Sequence, residues 1–322
     1  MKTDFPIDLV YLWCDNSDED WMAKKQKYYL LENNLDQQAA CASRYIDNDE
    51  LKYSLRSVEK NAPWINHIYI VTDHQTPSWL NIGNPKITMV NHEDILPKEN
   101  LPVFNSEAIE IGLANIEGLS EHFLFANDDC FLGDTVFPED FFLPNGKVIV
   151  RLIKDPKKSK KKRSQYDRHI TDMQNLIKKT FNKKLEFHPH HNFDAYLKSE
   201  FHNCVECFSE LSSLTAKQRF RNDLALQRSI FGFWLICKNI GIPKVIKKWK
   251  SKLINKLPFL SKYIRVDSMS CGICSAKALK RLAKVMPKMF CLNDSEKADI
   301  SDRQNIKRFM ENLFSEKSQF EK

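Results

Sequence analysis

The chain opens on an apolar run, Ile7-Asp8-Leu9-Val10-Tyr11-Leu12-Trp13, that stops at Asp15-Asn16-Ser17-Asp18. β-Branched and aromatic residues ahead of a polar cluster predict a buried strand and a turn. Trp21 to Leu31 predicts a helix. Asp47-Asn48-Asp49-Glu50 supplies cap residues before Leu51, Leu55 and Val58, whose spacing predicts a second helix, stopped by Pro63. His67 to Thr72 and Lys86 to Val90 predict two strands, and Ser106 to Ile116 a helix. Phe123 to Ala126 predicts a short strand that ends abruptly at Asn127-Asp128-Asp129. Beyond the charge block Lys154 to Arg163, helices are predicted over Phe193 to Phe201, Arg221 to Cys237, Ser275 to Val285 and Ile300 to Phe314, with one late strand over Lys288 to Leu292.

Strands alternating with helices predict an α/β fold with a mostly parallel sheet covered on both faces. Ligands of such sheets collect at the carboxyl ends of the strands, and Asp15, Asp73 and Asp128 all fall there. The division expected is an α/β core over 1–153, a basic insertion over 154–187, and a mainly helical portion over 188–322 that completes the site.

A hydrophobic fraction of 42% in 322 residues excludes a disordered chain. The net charge of +7 suits anionic partners: nucleotide diphosphates, a lipid surface or nucleic acid. The Lys157 to Arg163 run accompanies no nucleic-acid motif and reads as a solvated loop, so no nucleic-acid partner is expected. Met1 to Val10 lacks an apolar leader core, and no apolar run approaches the roughly 18–20 residues of a spanning helix. Nine dispersed cysteines, an odd count, predict reduced thiols in cytoplasm.

Asp128 and Asp129 follow an apolar strand, where carboxylates hold hard divalent cations beside a diphosphate; the plainer reading is an acidic turn. In His188-Pro189-His190-His191 one imidazole could take a proton from a hydroxyl, or the group could face solvent ahead of a helix. Arg219, Arg221 and Arg228 lie on or near one predicted helix, and Arg221 could clamp phosphate or make a surface ion pair. Cys204-x-x-Cys207 and Cys271-x-x-Cys274 could together build a structural Zn²⁺ site, at a separation longer than compact zinc modules use. Pro243 to Tyr263 sets Val245, Ile246, Trp249, Leu253 and Leu257 at helical spacing among lysines, as in a helix lying on an anionic membrane or one packed on a core.

Taken together these stretches resemble the four regions of the Stealth family of sugar-phosphate transferases. Ile7 to Asp18 is similar to the first region; Arg44 to Gly133, with RYIDNDELKYSLRSVEKNAPWINHIYIVTD and FLFANDDCFLG, to the second. His188 through Arg221-Asn222-Asp223 resembles the third, and Cys291-Leu292-Asn293-Asp294 onward the fourth. The resemblance implies a Rossmann-like core of the kind used by nucleotide-sugar transferases. It also implies transfer of a sugar 1-phosphate from a UDP-sugar to a hydroxyl on a glycan or lipid-linked saccharide, with release of UMP, in capsule or exopolysaccharide synthesis. By position, Trp13, Asp15, Arg44, Arg56, Asn105, Ser106, Asn127 and Asn293 would surround the donor. Asp128, Asp129 and Asp294 would hold Mg²⁺ or Mn²⁺. His188, Asp128 and Arg221 would carry the chemistry, at the cytoplasmic face of the inner membrane. Family members often show His-x-Pro in the third region; here Pro189 directly follows His188, which leaves His188, His190 and His191 open as the catalytic imidazole. A glycosyltransferase releasing UDP and a non-catalytic glycan- or membrane-binding protein are the alternatives.

Overall fold

The computed structural model describes residues 4–32, 45–155, 165–273, 275–295 and 297–322. Its first half runs β1 (Ile7–Leu12), α1 (Glu19–Leu31), α2 (Glu50–Asn61), β2 (Ile68–Thr72), β3 (Ile87–Asn91), α3 (His92–Ile95), α4 (Ser106–Glu110), β4 (His122–Asn127), β5 (Cys130–Leu132) and β6 (Val148–Lys154). The second runs α5 (Gln165–Phe181), β7 (Phe187–Pro189), β8 (Asp194–Leu197), α6 (Lys198–Cys207), α7 (Ser209–Ala216), α8 (Ser229–Cys237), β9 (Gly241–Val245) and α9 (Lys248–Lys256). It ends with β10 (Ser268–Gly272), α10 (Ala276–Val285), β11 (Met289–Asn293) and α11 (Ile300–Leu313).

The central sheet has the order β3-β2-β1-β4-β8, with β1 to β4 parallel and the edge strand β8 antiparallel to β4. This is the expected Rossmann-like α/β arrangement. Every residue of β2 is buried, as is all of β1 but Leu12, because strands covered on both faces must be apolar nearly throughout. The exception is Asp8, whose buried carboxylate accepts bonds from Asn66 Nδ2 at 2.8 Å and the Ser120 N–H at 2.7 Å. Helix α2 lies on this sheet through Leu51, Leu55 and Val58. Tyr11 Oη donates to Ser54 Oγ at 2.6 Å, and Ser54 Oγ to the Cys130 carbonyl.

A second sheet, β10-β11-β5, begins directly after the acidic turn. Phe131 stacks on Phe290 with ring centres 5.1 Å apart, and Leu282, Ile306 and Met310 from α10 and α11 close this separate core. A third sheet, β7-β6-β9, is covered by α8, and Gly232 permits the approach: a Cβ there would come within 3.1 Å of Val150 Cγ1.

The C-terminal portion carries the expected helices, but it also supplies β8 to β11, of which the sequence pattern predicts only β11. Phe193 to Phe201 begins as strand because the open edge of β4 takes Asp194 to Leu197 as its partner, and pairing overrides local propensity. Arg221 to Cys237 is helical only from Ser229. Ahead of it Thr215 Oγ1 accepts the Leu226 N–H at 2.7 Å and Gln227 Oε1 the Ser229 N–H at 2.8 Å, competing with helical bonding. Pro243 to Tyr263 is divided into β9, α9 and a short 3₁₀ turn over Pro258–Lys262. Pro243 is tolerated because β9 is an edge strand. Of the basic insertion expected over 154–187, residues 156–164 lie outside the described residues, and Gln165–Phe181 form α5.

Candidate active site

The carboxyl ends of β1 and β2 open onto a cleft of about 290 Å³, walled by Trp13, Asp15, Asp18, Asp47, Asp49 and the segment Gln75 to Trp79. Gln75 fixes its floor. Its Oε1 accepts the Asp15 N–H at 3.0 Å while Nε2 donates to the Asp15 carbonyl at 2.7 Å and to Asp18 Oδ2 at 3.1 Å.

Beside the cleft, the turn after β4 sends its two carboxylates toward different surroundings. Asp128 lies among acids: burial first, then the charges of Glu50, Asp129 and Asp47, hold its carboxyl well above the usual range. Burial likewise pushes Glu50 up to about 8 and Asp47 to about 6. Like charges buried together disfavour ionisation unless a cation joins them. Asp128, Asp47 and Glu50 offer oxygen donors alone, the chemistry a hard divalent ion prefers, but as they stand they do not converge closely enough to share one. Asp129 turns the other way. Burial raises its carboxyl, opposed by the thiols of Cys291 and Cys130 and by Arg228.

Arg228 is the buried hub of the opposite flank. Its Nη1 donates to Asn127 Oδ1 at 3.2 Å, Nη2 to His191 Nδ1, and Nε lies 3.4 Å from Asp194 Oδ2. Its guanidinium sits 5.1 Å above the Phe125 ring. Burial and then the Arg228 charge hold His191 well below the ordinary histidine range, so the ring is neutral. Its two ring nitrogens face Arg228 Nη2 and Asn127 Nδ2. Arg221 also bears on His191, and its Nη2 donates to Ser106 Oγ at 2.7 Å.

Trp13 and Asp15 thus line the cleft, Asn127, Asp128 and Asp129 form its neighbouring turn, and Arg221 and Ser106 meet beside it. Asn293 is joined to the turn through Cys291, whose thiol donates within 3.3 Å of both Asn293 Oδ1 and Asp129 Oδ2. Other expected residues are placed elsewhere. Arg56 makes a bidentate pair with Glu321, both bonds 2.7 Å, and faces the chain's last residues. Asn105 caps α4 and holds the 218–220 segment: its Oδ1 accepts the Glu107 N–H at 3.1 Å and its Nδ2 donates to Gln218 O at 3.3 Å. That completely buried amide positions Ser106 and does not face the cleft. Asp294 is paired with Arg303 at 2.9 Å and leaves the acidic pair. His188 donates from Nδ1 to Asp155 Oδ1 at 2.8 Å, while the histidine that contacts the β4 turn is His191. Arg44 lies outside the described residues.

The paired C-x-x-C zinc site is not assembled. Cys204 is buried in the core of the central sheet and Cys271 in that of β10-β11-β5, Cys207 is exposed, and Cys274 lies outside the described residues. Among the described residues, the group close enough to share a metal is instead Asp129, Cys130, His191 and Cys291. Sequence reasoning missed Gln75, Asp47 and Glu50 as site residues. The 47–50 run read only as a helix cap, and its acid density was the available signal.

The Stealth protein conserved region 2 family model matches residues 44–150. An exopolysaccharide phosphotransferase of Streptomyces coelicolor is 37% identical over 251 residues, 76% of this chain but 42% of that protein. An exopolysaccharide phosphotransferase of Lactiplantibacillus plantarum is 31% identical, covering 99% of this chain and 97% of its own length. Among solved structures, a galactosyltransferase crystallised with donor and acceptor sugar analogues aligns over 97% of the chain with a TM-score of 0.45 and 12% identity. With full-length identity above 30% to a named phosphotransferase and the second conserved region matched from α2 through β5, this chain belongs to the Stealth family of capsular and exopolysaccharide phosphotransferases.

Proposed function

We propose that the chain transfers a hexose- or N-acetylhexosamine-1-phosphate from a UDP-sugar to a hydroxyl of a glycan or lipid-linked saccharide, releasing UMP, in capsular or cell-surface polysaccharide synthesis. The observation that carries this reading is the opposition of two flanks at the end of β4: acids on one side, half-buried Asp128 and Asp47 with buried Glu50, and the Arg221, Arg228 and His191 cluster on the other. A diphosphate needs both, a dication and fixed cationic donors.

In this reading Trp13 and Asp15 border the nucleotide, and Asp128 with its acidic neighbours would hold Mg²⁺ or Mn²⁺, which when bound neutralises the diphosphate. The acceptor oxygen attacks the β-phosphorus, the bridging oxygen leaves with UMP, and the sugar C1–O bond stays intact, so the anomeric configuration is kept. Arg221 donates to phosphoryl oxygens. The hydroxyl proton passes to solvent as the oxygen attacks; His188, held on β7 by Asp155, stands outside this cluster. The described cysteines carry no disulfide and no described helix is long and apolar enough to cross a membrane. Both fit a site of action on the cytoplasmic side, in peripheral contact with the inner membrane.

Purified protein incubated with Mg²⁺, a panel of UDP-sugars and an acceptor glycan tests this by the nucleotide formed. UMP is the expected product. UDP would replace the reading with glycosyl transfer, and an unconsumed donor panel with a binding protein.

A further inference from the structure

Cys130 and Cys291 lie directly opposite each other where β5 meets β11. The ladder bonds on either side, Leu292 N–H to Asp129 O at 3.0 Å and Gly133 N–H to Lys288 O at 2.9 Å, alternate so that this is a non-hydrogen-bonded pair. In such pairs the side chains stand closest. Asp129 reaches both thiols, Oδ2 at 3.3 Å from Cys291 Sγ and Oδ1 at 3.6 Å from Cys130 Sγ. His191 arrives from the turn between β7 and β8, and one ligand atom from each of the four residues lies within 4.8 Å of all the others. The two cysteines are fully buried, and the cluster meets solvent through Asp129 and His191.

We propose that Asp129, Cys130, His191 and Cys291 form a binding site for a thiophilic divalent cation of the Zn²⁺ class. Two sulfurs, one imidazole nitrogen and one carboxylate oxygen make a four-ligand set that selects borderline-soft ions over Mg²⁺. The Asp128 side, with oxygens alone, has the opposite preference. Charge supports the assignment. Two thiolates and a carboxylate carry three negative charges; the ion supplies two positive ones, and Arg228, which also faces Asp194 and Glu110, acts on Asp129 and Cys130. Binding replaces two thiol protons, which pass to solvent. It also takes one ring nitrogen of His191, while Arg228 keeps Asn127 and Asp194. The site stands without the transfer reading. Only its consequence, inhibition by an ion that fixes the β4 turn and His191 beside the diphosphate, rests on that reading.

The test is a Co²⁺ titration of the full chain, reduced and stripped with chelator. The expected result is one equivalent of Co²⁺ giving thiolate-to-cobalt charge-transfer absorption, displaced by Zn²⁺ and indifferent to a large excess of Mg²⁺. Cys130→Ser combined with Cys291→Ser should abolish the band in protein that circular dichroism shows to be folded. Each single variant should weaken Zn²⁺ binding by more than about tenfold. Cys207→Ser, which removes an exposed thiol on α6, should leave the spectrum unchanged. Absence of the charge-transfer band in the wild type, or its survival in the folded double variant, would overturn the proposal whatever the transfer assay gives.

Discussion

Replacing Arg56 with Ala removes the clamp between α2 and the last residues of the chain. Four bonds are lost: two to the Glu321 carboxylate at 2.7 Å, one to the Phe314 carbonyl at 2.8 Å and one to the Ser315 carbonyl at 3.4 Å. The Glu321 side chain is only 2% exposed, so the variant leaves a buried carboxylate with donors from Ser318. Breaking such a pair from one side costs about 3–5 kcal/mol. At roughly 2–4 °C of Tm per kcal/mol for a chain approaching this size, the expected loss is about 6–20 °C. Arg56→Leu with Glu321→Leu should recover most of it, because no charge is stranded. The pH dependence has a definite sign. Burial alone would raise the Glu321 carboxyl, but its bonds to Arg56 and Ser318 prevail and lower it. The pair's contribution is therefore present above the unfolded carboxyl range and lost as pH falls through the lowered folded value, so the wild type and Arg56→Ala should converge in acid. Calorimetry across pH, with the donor KM measured well below Tm, decides the matter. An unchanged Tm with a raised donor KM would refute the structural role and return Arg56 to the donor site.

Mg²⁺ or Mn²⁺ should raise the Tm of the wild type by relieving repulsion around Asp128; Asp128→Asn should lose that shift and about 10²-fold in turnover, and a variant retaining both refutes the cation assignment. Asp155→Asn should leave kcat near the wild-type value, since His188 is held on β7 apart from the β4 turn; a loss of about 10²-fold with little change in KM would return His188 to the reaction as its base. Trp249 and Phe259 stand 54% and 60% exposed beside Lys250, Lys252 and Lys256, so Trp249→Ala with Phe259→Ala should reduce co-sedimentation with anionic vesicles, and a wild type that does not sediment ends the membrane reading.

The central strands were legible because parallel, doubly covered strands must be apolar, and the acidic turn because it interrupts such a strand. What stayed hidden is long-range. Nothing local to Phe193 to Leu197 tells that β4 has a free edge, and nothing near Arg221 tells that Thr215 will take a backbone donor from Leu226. Arg56 illustrates the same limit. Its position inside a family region marked it for the donor, but its partner lies at Glu321, which no spacing rule connects to it. Arg228 was noticed only as a neighbour of Arg221, since its importance comes from burial against Asn127, His191 and Asp194 together.

The turn at Asp128-Asp129 joins the end of β4 to the start of β5, so adjacent residues report to two independently built cores. Substitutions beneath the first can retune the side that gathers acids, while changes in the packing of Phe131, Phe290 and Phe314 shift the neighbour that faces sulfur. Divergent relatives could thus alter one carboxylate's setting without disturbing the other, which gives selection two separate handles on a single peptide step.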